Sequence, residues 1–270
     1  MNNKIPKTIH YCWFGKGEKN QDIINYINSW KKNCPDYEII EWNEDNFDIN
    51  CNAYVREAYK QKKYAFVTDY VRLFALYNYG GIYMDTDVEV LKPLDSFLAN
   101  SSFAGFENNE QLCTAVIGAE KNNPWIKDLM EEYNDRSFIM KDGSLDLTTN
   151  VIRVTNLTRE KYGLKTESSF QNLNDIVCLY PIDYFSPKDW FTGKINITEN
   201  TYTIHHFVAS WHSEKQKKQN EKIRQDLLKY IKKYGEKKGK EKFNKNQAIK
   251  YDLTHPLDVL KRKLMNRRDK

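Results

Sequence analysis

The sequence predicts an α/β fold: a mostly parallel sheet flanked by helices, followed by a basic helical C-terminal extension. Three observations carry this expectation. Over the first 90 residues, short apolar runs alternate with stretches of helical periodicity, the pattern of βα units. A glycine pair, Gly80-Gly81, separates one such helix from Ile82-Tyr83-Met84, an apolar run that ends at two carboxylates, Asp85 and Asp87. The charge also changes sign along the chain. Glu214–Lys270 holds 20 Lys/Arg against 8 Asp/Glu, whereas Met1–Ser213 holds 22 against 29.

Taken in order, Lys7–Gly15 reads as a buried first strand ending in a glycine turn. Ile23, Ile27 and Trp30 recur at helical spacing, and that run stops before Pro35. Tyr37–Trp42 reads as a second strand, and helical spacing resumes through Tyr54, Val55, Ala58 and Tyr59. Val67–Tyr79 predicts a helix that Gly80-Gly81 terminates. Asn123-Pro124 predicts a helix start, because proline is tolerated at the first helical position. Arg136–Asn150 is polar and poorly periodic and reads as a loop; Ile176–Tyr180 and Tyr202–Phe207 read as later strands. Beyond Ser213, Ile223, Leu227, Leu228, Ile231 and Tyr234 form a narrow apolar stripe on a lysine-rich helix that Gly235 ends. A Lys-, Gly- and Asn-rich loop is expected next, then a segment with Leu253, Leu257, Leu260 and Leu264 among basic residues.

Side chains two apart on a strand share a face, so Asp85 and Asp87 are expected to project together. Paired carboxylates repel unless a cation lies between them, and a hard divalent ion suits oxygen ligands. An ion held by only two carboxylates keeps positions open for the phosphate oxygens of a substrate. Asp69 and Arg72, three apart, share a helix face close by and could hold hydroxyls and offset phosphate charge. An isolated Asp-x-Asp is also a common surface turn, and Trp13 at a strand end could be ordinary core. The five cysteines are scattered with no Cys-x-x-Cys pair, which argues against a disulfide framework and a structural zinc site. The opening Met1–Pro6 lacks an apolar leader, and no run approaches the ~18 apolar residues of a membrane span. A cytoplasmic location is therefore expected.

The segment Phe66-Val67-Thr68-Asp69-Tyr70-Val71-Arg72, with Gly80-Gly81-Ile82-Tyr83-Met84-Asp85-Thr86-Asp87, resembles glycosyltransferase family 32, the sugar-binding group with an Asp-x-Asp signature. Ile5–Gly15 is similar to that family's usual opening and His205–Trp211 to its close, so the resemblance covers about residues 5 to 211. A more distant similarity runs to the glucosyltransferase domains of large clostridial toxins. The resemblance implies a GT-A fold over residues 1–213, a UDP-sugar donor, Mn²⁺ or Mg²⁺, and retention of anomeric configuration. It places Cys12 and Trp13 at the uracil, Thr68 near the nucleoside, and Asp69 and Arg72 on the donor sugar. Tyr83 falls near ribose and sugar. Asp85 would contact ribose and sugar and reach the metal through water, with Asp87 a direct ligand. His206, five residues before Trp211, would be the third ligand; Ser210 and Trp211 would hold the diphosphate. His205 reads as a structural strand histidine on the opposite face. The sequence departs from the family at Leu112–Ala115, where an Asn is usual, and at Thr148-Thr149-Asn150, which replaces a Thr-Gly-Pro turn.

These readings define a hexosyltransferase, galactose or glucose favoured, acting on a lipid-linked saccharide acceptor in capsular or surface polysaccharide synthesis. The basic segment 214–270 is expected to bind the anionic inner face of the cell membrane or another copy of the chain. Nucleic acid is not expected, because no such binding motif accompanies the basic residues. Two alternatives remain: within the enzymes, a toxin-like transferase acting on protein, and outside them a non-catalytic metal- or nucleic-acid-binding protein.

Overall fold

The computed structural model describes residues 3–190, 192–208, 214–235, 238–243 and 245–246. The chain divides into two compact units, Met1–Trp211 and His212–Lys270.

The first unit is built on a seven-stranded sheet. Its strands are β1 (Thr8–Cys12), β2 (Glu38–Trp42), β3 (Gly81–Met84), β5 (Ser102–Phe106), β6 (Leu112–Ala119), β7 (Gln171–Leu173) and β8 (Val177–Tyr180). They lie in the order β2-β1-β3-β6-β5-β8-β7. β1 pairs in parallel with β2 and β3, and β5 with β8; β6 runs antiparallel to both its neighbours and β7 to β8. Five strands thus point one way, and the expected α/β class with a mostly parallel sheet holds. A separate antiparallel pair joins β4 (Val88–Val90) to β9 (Thr203–His205), and the short helix α6 (Ile182–Phe185) lies between β8 and β9 in the chain.

Alternation along the strands divides the core into two. Ile9, Tyr11, Ile82 and Met84 face one side, where Ile23, Ile27 and Trp30 of helix α1 (Gln21–Asn33) meet Phe97, Phe103 and Phe185. Cys12 and Tyr83 face the other, against α2 (Ala53–Lys60), α3 (Tyr64–Tyr79), α4 (Pro124–Glu131) and α5 (Asn150–Tyr162). Fully burying side chains such as Ile9, Phe97 and Phe103 contributes about 1.5–3 kcal/mol each. Asparagines cap three of these helices: Asn20, Asn52 and Asn123 accept from the amides of Ile23, Val55 and Trp125 at 2.9–3.0 Å.

Several expectations needed correction. The acidic pair does not lie in a strand: β3 ends at Met84, and Asp85-Thr86-Asp87 forms the turn into β4. α3 begins at Tyr64, three residues before Val67. Strands β5 and β6 and helix α5 were not anticipated. β5 and β6 are buried along their whole length and so lack alternation, while α5 is mostly polar.

In the second unit, α7 (Glu214–Tyr234) ends at Gly235, whose amide donates to Ile231 O at 2.9 Å. The segment expected as a loop is helical over 238–243 and 245–246. Gly239 lets it lie directly on α7: a Cβ there would stand 2.7 Å from Ile231 Cα. Phe243 packs on Tyr230 at 5.7 Å, and Asn246 donates to the Tyr230 hydroxyl at 2.7 Å. Leu227 and Phe243 of this unit are buried, Phe243 against Tyr230 of α7. The leucine-bearing segment from Leu253 to Leu264 lies outside the described residues. No described helix is long and apolar enough to cross a membrane.

Candidate active site

The site forms where β1 and β3 end side by side. Gly80 and Gly81, with φ of 70° and 116°, turn the chain from α3 into β3. A Cβ on Gly81 would stand 2.6 Å from Thr8 O and 3.0 Å from His10 Nε2, so only glycine admits β1 at this distance. His10 is fully buried beneath this turn. Its Nε2 lies 2.7 Å from Gly80 O, and Trp42 Nε1 donates to its Nδ1 at 3.2 Å. These partners select the neutral ring with the proton on Nε2, consistent with burial lowering its pKa.

Two helical turns into α3, Arg72 holds the deep half of the site. It is 5% exposed and its guanidinium lies 4.5 Å above the Tyr83 ring. NH1 donates to Thr114 O at 2.6 Å, and NH2 stands 3.3 Å from both Asp69 Oδ1 and Asp85 Oδ1. The Tyr83 hydroxyl donates to Asp85 Oδ1 at 2.7 Å. Burial pushes the Asp69 carboxyl up to about 7 against the pull of Arg72. Burial also disfavours the charge on Arg72, but Asp85, then Tyr83 and Asp69, outweigh it and raise its pKa. Burial pushes the Cys12 thiol up, with Arg72 opposing. Thr68 lies one turn before Arg72, whose Nε is 3.5 Å from its carbonyl. Trp13 is half-buried just beyond β1; its indole donates to Gly17 O at 2.6 Å, with Lys19 Nζ 5.3 Å from its ring.

The outer half is held by β4 and β9. α1 braces β4: Trp30 donates to Val88 O, Asn33 to Val90 O, and Ser29 accepts from Val90 N. Val88 pairs with His205, which brings His205 beside Asp87. His205 Nε2 stands 3.5 Å from Asp87 Oδ1, and the Val208 amide donates to Asp87 Oδ2 at 2.8 Å. The two groups stabilise each other's charge. Burial opposes this, yet His205 and the Val208 amide hold the Asp87 carboxyl low, while Asp87 raises the His205 pKa. Ligand atoms of Asp85, Asp87 and His205 all lie within 4.8 Å of one another. Two carboxylates and an imidazole are a fitting donor set for a divalent cation.

The structure therefore brings together Cys12, Thr68, Asp69, Arg72, Tyr83, Asp85 and Asp87, with Trp13 adjoining. It does not bring His206 to the acidic turn. That ring turns the other way, stacking on Tyr26 at 4.6 Å with Nε2 2.9 Å from Glu89 Oε2. Only its backbone reaches Asp87, its amide donating to Asp87 O at 2.9 Å. His205, read from sequence as structural, occupies the place expected for His206. Adjacent strand residues face opposite ways, and only the pairing with β4 shows which one faces Asp87. Ser210 and Trp211 lie outside the described residues. The Thr114 carbonyl and Glu107, which follows β5, also went unnoticed in the sequence; no local pattern marks either.

Residues 20–104 match the family model described as glycosyltransferase sugar-binding region containing DXD motif. The chain is 30% identical over 115 residues to inositol phosphoceramide mannosyltransferase 1 of Schizosaccharomyces pombe, covering 37% of this chain and 33% of that one. It is 25% identical over 156 residues to human alpha-1,4-N-acetylglucosaminyltransferase, covering 53% of this chain and 42% of the relative. Among solved structures, the PaToxG glycosyltransferase superposes with a TM-score of 0.48 at 20% identity, over 59% of this chain and 70% of that one. The chain spans less than half the length of the mannosyltransferase and of the N-acetylglucosaminyltransferase it matches.

Proposed function

We propose, from a chain whose residues 20–104 carry the sugar-binding region of the DXD glycosyltransferases, a metal-dependent hexosyltransferase of GT-A type that uses a UDP-sugar. The observation that carries this reading is the convergence of Asp85, Asp87 and His205 beside the buried Arg72. Asp87 and His205 would hold Mn²⁺ or Mg²⁺ directly, with Asp85 behind them. Such a cation supplies positive charge to the diphosphate oxygens of a bound donor.

The protein groups do the rest. Arg72 is a permanent cation fixed by Thr114 O and two carboxylates, so its field is in place before the donor arrives. Asp69, held near neutrality, can accept from or donate to a sugar hydroxyl. The open face of Trp13 offers a stacking surface for the base. In the transfer, the bond from the anomeric carbon to the diphosphate breaks, its electron pair leaving on the phosphate oxygen. The acceptor oxygen bonds on the same face, and its proton passes to that departing oxygen, giving retention. A glycosyl-enzyme adduct seen by mass spectrometry would replace this step by double displacement.

The acceptor we infer is a lipid-linked saccharide used in surface polysaccharide synthesis. The basic second unit would seat the enzyme on an anionic cytoplasmic membrane face. Truncation after Lys250 should release the protein from anionic vesicles while sparing UDP-sugar hydrolysis; persistent vesicle binding would remove the tail from that role. For the activity itself, calorimetry should show UDP binding with Mn²⁺ present and little without it, and Asp87→Ala should lose most of that binding. No Mn²⁺-dependent UDP binding by the intact chain would overturn the reading. A hydrolysis screen of UDP-galactose, UDP-glucose and UDP-N-acetyl sugars then identifies the donor.

A further inference from the structure

His205 belongs to two groups of ligands. Besides the acidic turn, its ligand atom lies within 4.8 Å of a Glu107 carboxylate oxygen and of Cys113 Sγ, which are equally close to each other. The two sets differ in chemistry. Asp85, Asp87 and His205 offer mainly hard oxygen, whereas Glu107, Cys113 and His205 offer one thiol, one imidazole and one carboxylate. The second set matches zinc, which favours sulfur and nitrogen in fourfold coordination.

We propose that Glu107, Cys113 and His205 form a zinc-selective site that withdraws His205 from the acidic turn. Each member has spare capacity. His205 uses Nε2 towards Asp87, while its buried Nδ1 makes no hydrogen bond of normal geometry and the Cys113 thiol lies close to the ring. An orphaned buried ring nitrogen is costly unless a ligand takes it. The Glu107 backbone amide donates to Gln111 O, but its half-buried carboxylate forms no hydrogen bond among the described residues. Cys113 is a free thiol, fully buried in β6.

The fold aims these groups. β5 pairs with β6 through Ala104 and Ile117, then jumps to Gly105 and Cys113. The skipped residues of β6 serve β3 instead, with Val116 opposite Met84 and Ala115 O accepting from Asp85 N at 2.9 Å. This bulge ties Cys113 and Glu107 to the same frame as the acidic turn. Zinc bonds of roughly 2.0–2.3 Å need ligand atoms about 3.3–3.8 Å apart, so closing by at most about 1.5 Å completes the set, with a fourth position open to water. Zinc binding stands independently; its inhibitory consequence rests on the function proposed above, because one imidazole cannot serve both sets freely.

The test is a Co²⁺ and Zn²⁺ titration of the metal-free full chain. Bound Co²⁺ should show a thiolate-to-metal charge-transfer band that Cys113→Ala abolishes, and zinc affinity measured by chelator competition should fall at least about tenfold. Cys113→Ala should keep Mn²⁺-dependent UDP-sugar hydrolysis, with the half-inhibitory zinc concentration raised by about the same factor. Glu107→Gln, which preserves core packing, should weaken zinc binding while leaving the band visible at saturation. Absence of the band in the wild-type chain, or zinc binding unchanged in Cys113→Ala, overturns the site. An intact zinc site in a protein that binds no UDP would instead sink the proposed function alone.

Discussion

Asp85 and Asp87 are two residues apart, yet the molecule treats them differently. Asp85 is tied inward, to a guanidinium that also grips Asp69 and the Thr114 carbonyl and to the Tyr83 hydroxyl. Asp87 is tied outward, to the Val208 amide and to an imidazole at 3.5 Å. A buried guanidinium cannot shed its proton, so the inner half carries a fixed charge arrangement. The imidazole can give up its proton, so the outer half can exchange that charge for a bound cation. A motif that reads as one symmetrical clamp is thus a rigid anchor joined to an adaptable ligand pair.

Breaking the anchor should have the largest effect. Arg72→Met leaves the buried Asp69 and the half-buried Asp85 without their cation and should cost about 3–5 kcal/mol, measured by denaturant unfolding. A loss under about 1 kcal/mol would mean that the inner half is not an anchor. The outer half is separated next by its histidines. His205→Ala should weaken Mn²⁺ binding by about 10- to 100-fold in a metal titration, whereas His206→Ala should leave it within about twofold. Equal losses in both would return the ligand role to either residue. Tyr83→Phe removes one hydrogen bond to Asp85 and should cost about 1–2 kcal/mol, again by unfolding, with metal affinity little changed. The smallest effect concerns the base of the turn. His10 has its folded pKa lowered from 6.5, so it contributes stability that is present above that value and lost as pH falls below it. The unfolding midpoint should decline as pH falls below about 6.5, and His10→Asn should flatten that decline.

Much of this was legible locally. Ile23, Ile27 and Trp30 announce α1 by spacing, Asn123-Pro124 announces α4, and Gly80-Gly81 announces the turn that delivers the acidic pair. Asp69, Arg72, Tyr83, Asp85 and Asp87 are legible because they lie within one contiguous stretch of α3, β3 and the turn that follows β3. What escaped has a physical reason in each case. Phe103–Phe106 and Leu112–Ala119 lie inside a covered sheet, where both faces are apolar and period-2 alternation disappears. The helix after Gly235 is rich in lysine and glycine, and it forms because Gly239 and Phe243 pack on α7.

The α/β class, the order of the early elements, the acidic turn with its neighbouring Asp and Arg, and the charge change beyond Ser213 can all be read along the chain. Each is written in local spacing or composition, which needs no knowledge of distant partners. The tertiary structure alone decided that His205 rather than His206 faces Asp87, that Arg72 joins Asp69, Asp85 and Thr114, and that Glu107 and Cys113 reach the same histidine. Those outcomes depend on how β9 registers on β4 and where β6 bulges against β5. In a sheet, one residue of register reverses every side chain, and nothing within a single strand records which register its partner imposes.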